Sequence, residues 1–187
     1  YGWKIKLQWL TYNRSKERAM GNKIILTSKR LNLRYFNKSD LEKIYQMSQE
    51  EGIKKWLPDQ HYQNKEAAAE VIDFLINCYQ DIDPQERPFV LGIELKENQE
   101  LIGHIGLSPV DGLVEVGYAV EEKYQGAGYA TEAVKEFSSW AQKELNLEAI
   151  WGIVEKENLA SAKVLEKAGY SFANSKGKMD KDYYSFL

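Results

Sequence analysis

The feature that most constrains this chain is the run from Leu113 to Val154, where a strand, a glycine loop, a long helix and a second strand follow one another. Leu113 to Val120 reads as a strand. It leads into a loop carrying Gly126 and Gly128. Ala130, Ala133, Val134, Phe137, Trp140, Ala141 and Leu145 then recur at helical spacing. Ala149 to Val154 is a short apolar strand. A strand, a crossover helix and a strand make one βαβ unit, which requires a parallel pair. The strands before it behave differently. Phe89 to Leu95, Leu101 to Leu107 and Leu113 to Val120 are joined by Glu97-Asn98-Gln99 and by Pro109 to Gly112. Links this short favour antiparallel neighbours. The sequence therefore predicts an α/β (α+β) fold with a mixed, mostly antiparallel central sheet.

The remaining elements are read the same way. Lys23 to Phe36 alternates like an extended hairpin, with Leu31, Leu33 and Tyr35 in phase. Ser39 and Glu42 have capping-box spacing and open a first helix. Gly52 to Gln63 reads as a loop around Trp56-Leu57-Pro58. Asn64 caps a second helix, with Ala68, Val71, Ile72, Leu75 and Ile76 on one face. Asp83-Pro84 and Arg87-Pro88 end it. Asn158 starts a last helix that stops at Gly169, and two strands flank Ser175 to Lys178. The expected order is βααβββαβαββ. Residues 1–22 read as an N-terminal extension without assignment, and residues 23–187 as one domain.

Composition limits the function. A chain of 187 residues is long enough to bury one core without staples. The net charge of −3 gives no general attraction to nucleic acid or anionic membrane. The lysines and arginines of Lys4 to Lys6 and Arg14 to Arg18 are mixed with aromatics and acids, which is unlike a basic arm. Cys78 is the only cysteine, so no internal disulfide forms and nothing points to an oxidising compartment. It reads as a core or part-buried residue. No apolar run approaches the roughly 20 residues that span a bilayer. The first residues, YGWKIKLQWL, make a poor signal peptide and do not open on methionine. The expectation is a cytoplasmic protein. His61 and His104 have no Cys or carboxylate at ligand spacing, so no metal site is expected.

The chemistry sits in residues 114–134, VEVGYAVEEKYQGAGYATEAV. Small residues let a ligand approach the backbone. Free N–H groups at the following helix start make an anion site suited to a pyrophosphate. Three readings stand at this point. One is a structural glycine turn. A second is a dinucleotide fingerprint, because GAGYAT begins G-x-G. Against it, Thr131 occupies the third small position and the loop follows antiparallel strands. A P-loop is excluded because no Gly-Lys-Ser/Thr follows.

The third reading rests on a resemblance. Gln125-Gly126-Ala127-Gly128-Tyr129-Ala130 resembles the Q/R-x-x-G-x-G/A coenzyme A loop of the GNAT superfamily of N-acetyltransferases. Glu115-Val116-Gly117-Tyr118 resembles the strand that precedes it. Asn158-Leu-Ala-Ser161, with Val164 to Tyr170, is similar to the downstream helix of the RimJ/RimL-like (ribosomal-protein N-acetyltransferase) branch. The strong matches cover about residues 114–172.

The resemblance implies a GNAT-like fold with helices on both sheet faces. It also implies acetyl-coenzyme A as co-substrate, a primary amine as acceptor, and direct transfer in a ternary complex. Backbone N–H groups of Gln125, Gly126, Ala127, Gly128, Tyr129 and Ala130 would hold the pyrophosphate. The strand edge at Tyr118, Ala119 and Val120 would bond the pantetheine arm, with one amide near Ala119 facing the oxyanion. Asn158 would bond the pantetheine amide, or cap the helix, or both. Glu115 is the candidate base, matching the glutamate of the histone acetyltransferase branch. A strand glutamate with no catalytic role is the alternative. The family's usual tyrosine acid falls on Leu165, so that role is vacant, and Ser161 is the candidate replacement. Tyr35, Trp56, Leu57 and Tyr62 are candidates for lining the acceptor pocket. The expected state is a monomer or homodimer. A non-catalytic acyl-coenzyme A-binding module and a nucleotide-dependent oxidoreductase remain as readings from other classes.

Overall fold

Period-two alternation in the first described segment makes a hairpin. In the computed structural model, which describes residues 22–173 and 181–187, β1 (Ile24–Thr27) pairs antiparallel with β2 (Leu31–Arg34). Three helices follow rather than two: α1 (Leu41–Ser48), α2 (Glu51–Trp56) and α3 (Lys65–Cys78). The segment expected as a loop holds α2, whose six residues are too few to display a helical period in the sequence.

The start of α1 also differs from expectation. The capping box is formed by Asn37 and Asp40 around a 3-10 turn, Lys38–Asp40, which runs into α1. Ser39 is inside that turn and donates its own N–H to Asn37 Oδ1 at 2.8 Å. Asp40 is fixed there because the buried Arg34 guanidinium binds it through two nitrogens, at 2.8 and 2.9 Å. Asn64 caps α3 as the sequence predicts, its Oδ1 accepting from the Ala67 N–H at 2.8 Å. The helix ends at Cys78, well before Pro84; burial pushes the Cys78 thiol up to about 11.

Strands β3 (Phe89–Leu95), β4 (Leu101–Val110) and β5 (Leu113–Val120) form the meander read from the sequence, with β4 three residues longer than expected. Asp111 and Gly112, with φ of 49° and 79°, make the two-residue β4–β5 turn, a conformation that glycine adopts freely. Next come α4 (Tyr129–Glu144), β6 (Ile150–Glu155), α5 (Leu159–Ala168), β7 (Ser171–Phe172) and β8 (Lys181–Phe186). The expected turn at Ser175 to Lys178 lies outside the described residues, as do residues 1–21 of the expected extension.

The sheet order is β1-β2-β3-β4-β5-β6-β8-β7. Every neighbouring pair is antiparallel except β5–β6. Val116 and Val120 on one face of β5 pack with Ala133, Val134, Phe137 and Ala141 of α4 in the main core. On the other face, Phe36, Val90 and Leu101 meet Leu75 of α3. The sheet is thus covered on both sides, and alternation along β5 sends successive side chains to different layers. Among the described residues no helix is long and apolar enough to cross a membrane.

Candidate active site

The site begins where the parallel pair fails. β5 is paired with β4 along its whole length, and β6 with β8 along its own. Between them the register holds only at Glu115↔Trp151. Past that point the strands part, and a cavity of about 1070 Å3 opens between them. Its walls are Glu115 to Val120, Gly152 to Glu155, the loop around Gln125 to Ala130, the start of α5, and a rim at Trp56 to Asp59.

The register decides which main-chain groups face this gap. The Glu121 N–H donates to the Ile102 carbonyl at 2.8 Å. Alternation then turns the amides of Ala119 and Gly117 toward β4 as well, and those of Tyr118 and Val120 toward the gap. Of the amides near Ala119, its own N–H is spent inside the sheet, and its neighbours at Tyr118 and Val120 are the ones that face the gap. The Val120 carbonyl, on the gap side, accepts from Gln125 Nε2 at 2.9 Å, which ties the loop to the strand end.

The loop is shaped by two left-handed residues. Gly126 has φ 78° and Gly128 has φ 81°. A Cβ at Gly126 would meet nothing within 4 Å, so only backbone conformation requires glycine there. Gly128 is the N-cap of α4 and offers no capping side chain. The first amides of α4 are left for a ligand at the positive end of the helix. No side chain of residues 126–128 intrudes into the bend, so its backbone suits a pyrophosphate. Lys163 and Lys167 line the same cavity. Ala127 does not line it. Its carbonyl accepts from Arg30 Nη1 at 2.9 Å, on the outer side of the loop. Arg30 also pairs with Glu132 at 2.7 Å and lies 4.2 Å from the Tyr129 ring centre.

Glu115 is the β5 member of the one registered β5–β6 pair, at the fork where the strands part, and is half-buried. Burial pushes its carboxyl up to about 7, opposed by the Lys181 charge and by a hydrogen bond from the Ile153 N–H. Ser161 and Asn158 sit across the gap. The Asn158 Oδ1 accepts from the Ser161 N–H at 3.1 Å, so Asn158 does cap α5. The Tyr118 hydroxyl is 2.7 Å from Ser161 Oγ and 3.0 Å from the Ser161 carbonyl oxygen. Leu165 is buried and packs directly on Gly152, where a Cβ would come within 2.5 Å of Leu165 Cδ1. Position 165 therefore serves the close approach of α5 to β6.

The three acceptor-side aromatics separate. Trp56 lines the large cavity, with Leu57 beside it. Tyr35 does not: it is buried and stacked on Tyr79, ring centres 3.9 Å apart. Tyr62 lines a different, apolar cavity of about 40 Å3 between the α1–α3 layer and the sheet, together with His104. Burial pushes the Tyr62 phenol up to about 12 and pulls the His104 imidazole down to about 4. Tyr35 follows the last residue of β2 and stacks in the core, and Tyr62 lies in the segment before α3 and lines the small cavity, so neither borders the large one. Sequence reasoning missed Arg30, the Tyr118 hydroxyl and the pair Glu50 and Glu122. No local pattern marks them, since each contact joins residues 43 to 97 positions apart.

Comparison with known proteins agrees with this geometry. Residues 30–171 match the family model of the "Acetyltransferase (GNAT) domain". The uncharacterized N-acetyltransferase YnaD of Bacillus subtilis is 28% identical over 146 residues, covering 77% of this chain and 81% of that protein. The ribosomal-protein-S5-alanine acetyltransferase of Vibrio fischeri superposes with a TM-score of 0.72 at 22% identity, covering 87% of this chain and 95% of that one. RimL, a ribosomal L7/L12 alpha-N-protein acetyltransferase solved with coenzyme A, gives a TM-score of 0.72 at 16% identity, covering 88% and 98%. With a gapped parallel pair, a glycine loop at a helix start and this family match, the chain belongs to the GNAT acetyltransferases and is an acetyl-coenzyme A-dependent N-acetyltransferase.

Proposed function

We propose that the acceptor is the α-amine of a protein N-terminus, as in the RimJ/RimL-like branch, and that it attacks the thioester directly in a ternary complex. A small-molecule primary amine is the alternative acceptor. The observation that carries this reading is one cavity with a glycine loop at a helix start at one end and the Glu115 carboxylate at the fork of the strands.

Acetyl-coenzyme A supplies an activated acetyl group; the chain supplies alignment and charge. The loop amides from Gln125 to Ala130 hold the diphosphate. The gap-facing groups of Tyr118 and Val120 hydrogen-bond the arm as an added strand would. One of their amides faces the oxygen on which charge develops. Glu115 takes a proton from the amine, directly or through a water. Ser161 faces the sulfur side.

The value at Glu115 favours an α-amine. A base near 7 lies about one unit below an α-amino group at about 7.7 to 8.0, which is roughly 1 kcal/mol uphill. For a lysine-like amine near 10.4 the gap is over three units, roughly 4.6 kcal/mol. Such a base is matched to the more acidic α-ammonium. A panel of N-terminal peptides, polyamines and amino acids, assayed by thiol release, tests the proposal. Peptides acetylated at the α-amine are expected to be the fastest. Turnover confined to small amines would overturn the protein-terminus reading. Coenzyme binding without any thiol release would leave a non-catalytic binding module.

A further inference from the structure

The departing sulfur needs a hydrogen-bond donor, and the gap has one arrangement built for it. Ser161 is the only hydroxyl residue of α5. Its Oγ is 2.7 Å from the Tyr118 hydroxyl, and both residues line the cavity. We propose that Tyr118 is a positioning residue that holds the Ser161 hydroxyl as a donor toward the thioester sulfur, so that the two hydroxyls act as one unit. The inference rests on the reading of the gap as the coenzyme site.

Hydrogen-bond accounting supports it. The phenol carries one proton and has two acceptors within reach, Ser161 Oγ at 2.7 Å and the Ser161 carbonyl at 3.0 Å. If it donates to the carbonyl, the serine proton turns to the phenol oxygen and is spent. If it donates to Oγ, the serine proton is free for the gap. The Ser161 carbonyl lies inside α5 and has the Leu165 N–H as its helical partner, so it does not depend on the phenol. Charge growing on sulfur therefore selects the second arrangement, and the chain of two hydroxyls polarises toward it. Without the phenol, a helical serine turns its hydroxyl back to a carbonyl of the preceding turn. The phenol bond instead holds Oγ in place at the cavity wall.

The step needs no proton from serine. The C–S bond breaks, the electron pair stays on sulfur, and the thiolate takes its proton later from solvent. A thiol near 8.5 leaves as an anion that hydrogen bonds stabilise well enough, while a serine hydroxyl is far too weak an acid to surrender its proton to it. Glu115 and Tyr118 are three positions apart on β5, an odd offset, so the two side chains leave opposite faces of the sheet. The amine side and the sulfur side are served by different layers.

The test is a double-mutant cycle with Tyr118→Phe, Ser161→Ala and both together. Each is assayed by thiol release from acetyl-coenzyme A with the fastest amine of the panel above. Tyr118→Phe is expected to lower kcat about tenfold with the KM for acetyl-coenzyme A within about twofold of wild type. The double variant is expected to match Ser161→Ala, because the phenol acts only through the serine. Losses that multiply, or an unchanged kcat in Tyr118→Phe, would overturn the proposal and point to plain packing. If the Tyr118→Phe protein does not fold, a fluorotyrosine in place of Tyr118 keeps the hydroxyl and alters its acidity. Its kcat must then change in the wild-type background and not in the Ser161→Ala background. Titration of wild type with coenzyme A separates the two levels. No binding removes the coenzyme reading and this inference with it, whereas binding with a multiplicative cycle removes this inference alone.

Discussion

Arg30 reaches from the β1–β2 turn to the Ala127 carbonyl, 2.9 Å from its Nη1, and so braces the Gln125–Ala130 loop from outside. The same residue bonds Glu132 through its main-chain N–H and through Nε, each at 2.7 Å, and Ser28 Oγ adds a third bond at 2.7 Å. The loop is thus clamped between a hairpin turn and the first turn of α4. Arg30→Ala is expected to weaken coenzyme A binding about tenfold by calorimetry. The stability cost is modest, about 1 kcal/mol, because the guanidinium is 38% exposed and its ion pair is screened. Arg30→Lys should recover only part of the affinity, since an ammonium lacks the planar fork that holds a carbonyl and a carboxylate together. Unchanged affinity in Arg30→Ala would show that the loop keeps its shape unaided.

Two glycines separate strain from function. Gly112 and Gly128 have nearly the same backbone, φ 79° and 81°. Gly112 lies in the β4–β5 turn with open space around it; Gly128 starts α4 in the cavity wall. Alanine at either position pays a similar conformational cost, roughly 1–2 kcal/mol. Both variants should therefore lose similar stability in urea. Only Gly128→Ala should lose coenzyme affinity, and Gly128→Val should abolish it. Equal affinity in the Gly112→Ala and Gly128→Ala proteins would remove the loop from the binding site.

The proposed role of Glu115 as base makes a pH prediction. Burial raises its carboxyl to about 7, and only the ionised form accepts a proton. Wild-type kcat/KM should therefore rise with pH through about 7, and Glu115→Gln should lack that limb. The loss is expected to be about 100-fold at pH 7.5 and to shrink above pH 9, where the amine deprotonates unaided. Stability runs the other way. A carboxyl raised in the folded state binds its proton more tightly there than in the unfolded chain. Stability therefore falls between the ordinary carboxylate range and pH 7. Glu115→Gln should gain on the wild type over that window, by up to about 3 kcal/mol before solvent screening is allowed for. A parallel pH profile for the two proteins would reject Glu115 as the base.

Much of this architecture is legible in the residues. Apolar runs bounded by short turn links mark Phe89 to Leu95 and Leu113 to Val120 to the residue, and asparagine caps announce α3 and α5. The glycine loop announces the start of α4 because a left-handed bend before a helix leaves few other choices. What stays hidden depends on register or distance. The direction of the Ala119 amide is set by which β4 residue it faces, and no pattern within β5 records that. Tyr35 and Trp56 are equally plausible pocket residues in sequence, yet one stacks in the core and the other rims the gap. Arg30 and Ala127 meet only because the sheet brings a distant turn beside α4.

The Trp56 rim of the cavity has its own latch. Both Glu50 carboxylate oxygens accept the Glu122 N–H, at 3.1 and 3.2 Å, and Glu122 Oε1 accepts the Gly52 N–H at 3.2 Å. This reciprocal pair stitches α2, which carries Trp56, to the turn that precedes the coenzyme loop. Burial raises the Glu50 carboxyl, the Glu122 hydrogen bond opposes it, and the charges of Glu122 and Glu121 raise it further. Glu50→Gln keeps an acceptor for the Glu122 N–H and removes that repulsion. It should behave like wild type in turnover and gain relative stability as pH climbs out of the carboxylate range. Glu50→Ala removes the latch, and its cost should fall on the amine. The KM for the acceptor is expected to rise about fivefold while coenzyme A affinity, measured separately, changes less than twofold. A matching loss of coenzyme affinity would mean that the latch shapes the loop rather than the rim, and the two effects are told apart by titrating each ligand alone.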